Sequence, residues 1–408
     1  MKNERCTAFV GGVVIDGRGE DPIRDGIVVT KGSIIQEVGK KSKVQIPKDC
    51  EVFDISGKTL MPGMIDCHCH LVVTASVGER LFTPKSLAIL RAAEMAKRAL
   101  QAGFTTLRDA GGLPDVGLRQ AVTMGLIEGP RLILAGPIAQ TGGHFDEYFP
   151  SGVELDYLGF GKCDGISEVQ KGARDVLRRG FDFIKVCTTG GIDSPADSPE
   201  YTEWSMEELK AIVYEASARG KFVMAHAEGT TGIKNAIRAG IWSVEHGSML
   251  DEEAVQMFLD SGTYLVPTLS VFMEISQRGK EFGLSEVSLA KAKRIEDFHV
   301  KSFKMAIESG VKIATGSDAF VEQMHGKNAG ELELMVRYGY TPMQAILAAT
   351  KSGSEVCRVD DIVGTLEPGK IADILVIDGN PLDDISVLKD KNRILVVMKD
   401  GTCHLNKM

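Results

Sequence analysis

Between residues 60 and 320, short apolar runs alternate with longer stretches whose apolar positions recur every three to four residues. The short runs read as strands: "TLMPGMIDCHCHL", "GFTTLRDAGG", "RLILAGPIAQTGGH", "DFIKVCTTGG", "KFVMAHAEG", "WSVEHGSML", "TYLVPTLS" and "KIATGSDA". The stretches between them read as amphipathic helices. In "SMEELKAIVYEASARG", for example, Met206, Leu209, Ile212 and Val213 share one face. Eight strand-then-helix units predict a (β/α)8 barrel, a fold of about 250 residues. A doubly wound open sheet competes with this, but no GxGxxG follows the first strand. The flanks, residues 1–58 and 360–408, carry short β-like runs punctuated by Gly, Pro and Asp, such as "GKIADILVIDGNPLDD". Neither makes a domain alone. Together they predict one small β-sandwich domain built from both termini, with residues 59–359 forming the barrel.

Composition narrows the field only slightly. With 408 residues, 43% hydrophobic and 25% charged, the chain can bury a large core and one smaller one. A net charge of −9 argues against a nucleic-acid partner or an anionic membrane surface. The first residues lack the apolar core of a signal peptide, and no apolar run reaches spanning length. The eight cysteines are scattered without a compact framework, so reduced thiols and a cytoplasmic location are expected.

The chemistry lies at the ends of the predicted strands. In "MPGMIDCHCHL", alternation puts His68 and His70 on one face and Cys67 and Cys69 on the other, as small buried residues of the helix layer. A four-ligand zinc knot would need a second cysteine pair, which is missing. Lys185 sits in the fourth strand, His226 ends the fifth, His246 the sixth and Asp318 the eighth. Any one of these could be a satisfied structural residue. Six of them converging on one rim without partners would cost about 1–3 kcal/mol each, and a metal supplies a common partner. Lys185 is the odd member, because an ammonium would be repelled there. Either it pairs with Asp318 with no metal present, or it is neutral and adds CO2 to become a carbamate able to bridge two cations.

These residues resemble the amidohydrolase superfamily. "LMPGMIDCHCHL" looks like its entry motif and "GTLEPGKIADILVID" like its closing β segment, so the resemblance covers nearly the whole chain. It implies two divalent ions, zinc being expected. His68, His70 and Asp318 would hold the more buried one, His226 and His246 the more exposed one. A carboxylated Lys185 and a hydroxide would bridge them. Asp318 would orient that hydroxide and pass its proton to the leaving amine. Within the superfamily, "TGGHFDEYF" is similar to the imidazolonepropionase-like group that includes dipeptidases and carboxypeptidases. That likeness implies that His144 polarises the substrate carbonyl. Arg108 and Asp109 in "TTLRDAGG" also match and read as a supporting pair. His325, in the loop after strand eight, is a candidate for substrate contact or a plain surface residue.

Members of the group that cleave before proline resemble one another in a tyrosine two residues after the fifth-strand histidine. Here that position is Glu228. A carboxylate suits a cationic group better than a pyrrolidine ring. The adjoining loops are acidic too: Asp146, Glu147, Asp193, Asp197, Glu200 and Glu203. The expectation is a binuclear metal-dependent carboxypeptidase or dipeptidase that takes small peptides and releases C-terminal Arg or Lys, resembling zinc-dependent arginine carboxypeptidases. A prolidase, a cyclic-amide or N-acyl amino acid hydrolase, and a non-catalytic scaffold of the same fold are the rivals. The group tends toward homo-oligomers, so one is expected here.

Overall fold

The computed structural model describes residues 5–72, 77–112, 116–153, 161–194 and 196–408. Seven parallel strands follow one another around the barrel: β1 (Met64–Cys69), β2 (Phe104–Asp109), β3 (Arg131–Ala139), β4 (Phe183–Cys187), β5 (Val223–Ala227), β6 (Ser243–His246) and β7 (Tyr264–Val266). Each pairs with the next in parallel, with register shifts along the β1–β2 pair. The eighth unit is an extended segment, residues 312–319, bridging β7 through Ile313 and β1 through Ala319. The Cys67 N–H donates to the carbonyl of Thr315, and the Asp318 N–H to that of His68, so the ring closes. The predicted eighth strand is present as the closing segment, although Gly316 and the left-handed Asp318 (φ 49°) break its extended run.

The helices carry their apolar faces onto this ring in one large core that includes Leu209, Ile212, Ile233, Phe258 and Phe303. In the helix Met206–Ser217, the stripe read from sequence is the buried one, closed at its start by a capping box between Ser205 and Glu208.

The second body is one eight-stranded sheet. Its path runs Thr402–Asn406, Ile394–Lys399, Ile374–Ile377, Thr59–Pro62, Cys6–Val14, Ile23–Lys31 and Ile34–Lys40, with Glu51–Asp54 also paired to Cys6–Val14. The sheet curls so that Ile34 bridges back to Ile371. Phe9, Val28 and Ile35 from the N-terminal strands thereby bury against Ile374, Val376 and Met398 from the C-terminal ones. The strand Thr59–Pro62 belongs to this sheet, and the chain passes into the barrel across one residue, Gly63. A Cβ there would fall 2.1 Å from the Thr105 hydroxyl, so only glycine lets the two bodies approach this closely. The expectation of reduced thiols throughout is corrected at one place. Cys6 and Cys50 are joined as a disulfide, while Cys67, Cys69, Cys163, Cys187, Cys357 and Cys403 take part in no disulfide among the described residues. Among the described residues, no helix is long and apolar enough to cross a membrane.

Candidate active site

A cavity of about 850 Å³, its open mouth included, lies at the C-terminal ends of the barrel strands. His68, His70, Lys185, His226, His246 and Asp318 all line it, together with His144 and Glu228. His68, His70 and Asp318 bring one ligand atom each to within 4.8 Å of one another. The His226 and His246 rings lie 4.7 Å apart, and His68 and His246 5.2 Å. Cys67 and Cys69 point away into apolar clusters, Cys67 beside Cys357 and Val356.

Each imidazole has one nitrogen held by the protein. His70 Nδ1 donates to the carbonyl of Gly111 (2.6 Å) and His68 Nδ1 to Glu245 (2.8 Å), while His246 Nδ1 meets the Thr268 hydroxyl (2.7 Å). Nε2 of these three rings is thereby left as the lone-pair donor. His226 is reversed: its Nε2 donates to the Gly190 carbonyl (3.1 Å), which leaves Nδ1. Burial pushes His68, His226 and His246 well below the ordinary histidine range, so their rings are neutral. Burial also lowers the Lys185 ammonium, with Arg108 adding to the effect. Burial thus keeps three imidazoles from protonation and disfavours the lysine ammonium, while against the opposing effect of burial Asp318 raises the fourth imidazole, His70. With the carboxylate they form a donor set that fits divalent cations.

The backbone is strained at this rim. His246 (φ 70°), Thr268 (φ 51°) and Asp318 (φ 49°) all occupy the left-handed region without being glycine. For His246 this has a direct effect. Strand alternation turns Ser243 and Glu245 inward, and the positive φ brings the next residue toward the cavity as well. Gly316 contributes by absence of a side chain, since a Cβ there would lie 2.8 Å from that of His68.

Beneath the rim sits a polar layer with no exposure. Arg108 donates to both oxygens of Glu245 (2.9 and 3.0 Å) and to the Ser243 hydroxyl (3.0 Å), and Glu245 holds His68. Asp109 faces elsewhere and accepts from the N–H groups of Gly111 and Leu71. Arg108 and Asp109, expected as structural support, serve that role in two separate places. Asp66 accepts from the His68 and Ser317 N–H groups and from Asn328, tying β1 to the closing segment. Sequence reasoning missed Glu245 and Asp66. The period of two that placed His68 and His70 also places Asp66, and it aligns Glu245 with Ser243.

His144 begins a short turn after β3. Its Nδ1 meets Asp197 at 2.6 Å, its N–H donates to Glu203 (2.6 Å), and its ring stacks on His226 at 4.7 Å. His325 departs from both expectations for it. It is buried, absent from the cavity lining, and its Nε2 donates to the His70 carbonyl (3.2 Å), so it backs β1 and touches neither substrate space nor solvent.

The acidic loops are also corrected in part. Asp197 and Glu203 are committed to His144, Glu200 to Arg294, and Asp146 to Lys162 and the Gly142 N–H. Of the loop acids named above, Asp193 alone lines the cavity, where Glu228 joins it. One oxygen of each is buried without a hydrogen bond. Burial raises both carboxyls, that of Glu228 well above the usual range. The same cavity has an apolar wall that includes Phe145, Phe149, Phe272 and Phe320.

The amidohydrolase family pattern matches residues 59–403. The chain belongs to the amidohydrolase family. It is 35% identical over 421 aligned positions to the ochratoxinase of Aspergillus niger, covering 97% of this chain and 86% of that one. It is also similar to the imidazolonepropionase of Rhizobium rhizogenes, 23% identical with 88% of each chain covered. Among solved structures, a prolidase complexed with N-methylphosphonate-L-proline superposes with a TM-score of 0.93 at 34% identity, covering 98% of this chain and all of that one. This amidohydrolase is thus a (β/α)8 hydrolase with a second sheet from both termini, in the imidazolonepropionase-like and prolidase-like group.

Proposed function

We propose that this amidohydrolase releases a C-terminal arginine or lysine from dipeptides or short N-acylated substrates. The observation that carries the reading is the pair of cavity carboxylates, Glu228 and Asp193, each with a buried oxygen lacking a partner. A guanidinium or ammonium supplies the missing hydrogen bonds with charge assistance, and an apolar side chain would leave them unmade. His68, His70 and Asp318 would hold one divalent ion, His226 and His246 a second, with a carboxylated Lys185 between them. When bound, such ions, zinc being expected, supply Lewis acidity and lower the pKa of water toward about 7.

The remaining work falls to side chains. Asp318, whose N–H donates to the His68 carbonyl, would take a proton from the attacking water and return it to the departing amine. His144, its Nδ1 fixed on Asp197, directs its other edge into the cavity to hydrogen-bond the scissile carbonyl.

A second reading, an Xaa-Pro dipeptidase or a hydrolase of amides of bulky apolar residues, is favoured by the phenylalanine wall. A dipeptide library on zinc-loaded protein decides between them. Cleavage of Xaa-Arg and Xaa-Lys is expected, with Glu228→Gln lowering kcat/KM on Xaa-Arg at least about tenfold and sparing Xaa-Phe. Hydrolysis of Xaa-Pro with no action on Xaa-Arg or Xaa-Lys would overturn the assignment.

A further inference from the structure

The loop after β4 serves two site histidines at once. The carbonyl of Gly190 holds His226, and the carboxylate of Asp197 holds His144. Within the loop, Asp197 also accepts from the Gly191 N–H at 3.0 Å. The His144 ring packs directly on Gly191, where an added Cβ would fall 2.4 Å from the ring. Placement of both rings therefore depends on the path of this loop, whose described residues 190–194, 196 and 197 belong to no helix or strand.

What fixes that path comes from outside the barrel rim. Lys291, on the helix Glu286–Ser309, sends its ammonium into the loop. It donates to the carbonyls of Gly191 (3.2 Å), Ser194 (2.7 Å) and Asp197 (2.6 Å) and to the Asp197 carboxylate (3.1 Å). Its side chain is 13% exposed and that of Asp197 4%. The same helix face adds Ser288, bonded to the Asp193 carbonyl (3.3 Å), and Arg294, paired with Glu200 (2.9 Å). Residues 288, 291 and 294 lie three apart, so one side of the helix holds Gly191, Asp193, Ser194, Asp197 and Glu200. Among these contacts Lys291 alone reaches the carboxylate that carries His144.

We propose that Lys291 is a positioning residue: it gathers the loop 190–197 and aims the Asp197–His144 pair at the substrate. An ammonium suits this task because its compact head satisfies several carbonyls from one point, which a planar guanidinium does not. The inference rests on the role given to His144 above.

The test is a double-mutant comparison on the zinc-loaded enzyme. Lys291→Met is expected to lower kcat roughly 100-fold, the scale of a 1 Å misplacement of a reacting group, with KM changed less than about threefold. In a His144→Ala background the same substitution should cost almost nothing, because the group it aims is gone. A second readout needs no turnover. In ¹⁵N-histidine NMR, the His144 ring, assigned by its loss in His144→Gln, should show one Nδ1–H tautomer in the parent and a mixture in Lys291→Met. Lys291→Arg, which keeps the charge, should fall between the two and serves if Lys291→Met does not fold. An equal kcat loss in both backgrounds, or an unchanged His144 tautomer, would overturn the proposal. If His144→Ala itself keeps parental kcat, the role of His144 fails, and the tautomer measurement still decides whether Lys291 places the ring.

Discussion

Arg108 and Glu245 carry opposite charges where neither side chain has any exposure. Their removal, singly and together, should separate fold stability from the integrity of the site. Glu245 receives two hydrogen bonds from Arg108, one from Ser243 (2.6 Å) and one from His68 (2.8 Å). Arg108→Met deletes both charge-assisted bonds and leaves a carboxylate with neutral donors only. Glu245→Leu leaves a guanidinium holding the Ser243 hydroxyl and the Cys67 carbonyl. Each single change should cost about 3–5 kcal/mol, the price of an uncompensated buried charge. That is a large share of a total of about 5–15 kcal/mol. The double variant buries no charge, so its cost should fall below the sum of the singles by at least about 2 kcal/mol. His68, however, loses its Nδ1 partner in every Glu245 variant, so metal affinity should drop about 10–100-fold even where stability recovers. Urea midpoints on metal-free protein and chelator competition for zinc measure the two quantities separately. Additive stability losses, or a double variant that regains both stability and zinc affinity, would refute the reasoning.

Removing metal with a chelator should abolish peptide hydrolysis, and zinc, manganese or cobalt should restore it; activity that survives complete chelation excludes a metal-dependent reaction. Gly191→Ala should lower kcat at least about tenfold with a small change in melting temperature, since the added methyl displaces His144 rather than the core. Burial, partly offset by the Pro267 carbonyl, pushes His299 down to about 4 from its ordinary value near 6.5. The unfolded chain therefore binds the extra proton, and stability should fall as pH drops from about 6.5 to about 4, by on the order of 3 kcal/mol for this one group. His299→Phe, which keeps the ring against Phe272, should flatten that part of the urea-midpoint profile against pH.

The barrel was legible because its strands are buried on both faces and read as apolar runs, and because polar residues at their ends have no other reason to sit there. Lys185 shows this well: one lysine inside "FDFIKVC" breaks a run that is otherwise apolar between its Asp182 edge and Cys187. The layer beneath was harder to see. Arg108 and Asp109 read as structural support, but which groups each one supports, Glu245 for one and the Gly111 and Leu71 N–H groups for the other, was not in the pattern. The acidic loops misled for a related reason. Composition counts charges, while only coordinates show which are already matched, and Asp197, Glu200 and Glu203 are. Lys291 lies roughly a hundred residues beyond the loop it grips, on a helix whose pattern announces only its apolar side. The Cys6–Cys50 link joins positions 44 apart with no spacing signature.

The junction at Gly63 has a consequence for how the protein is made. The strand Thr59–Pro62 pairs on one side with Val13 and Val14 and on the other with Ile374–Ile377. The first histidine strand hangs directly from it, so its anchor is only half built while the ribosome is still translating the barrel. Its other half emerges more than 300 residues later, with the final strands. The anchor of β1 is therefore completed only once residues 374–377 have been made, and loss of that strand should yield a barrel without a secured entrance to β1.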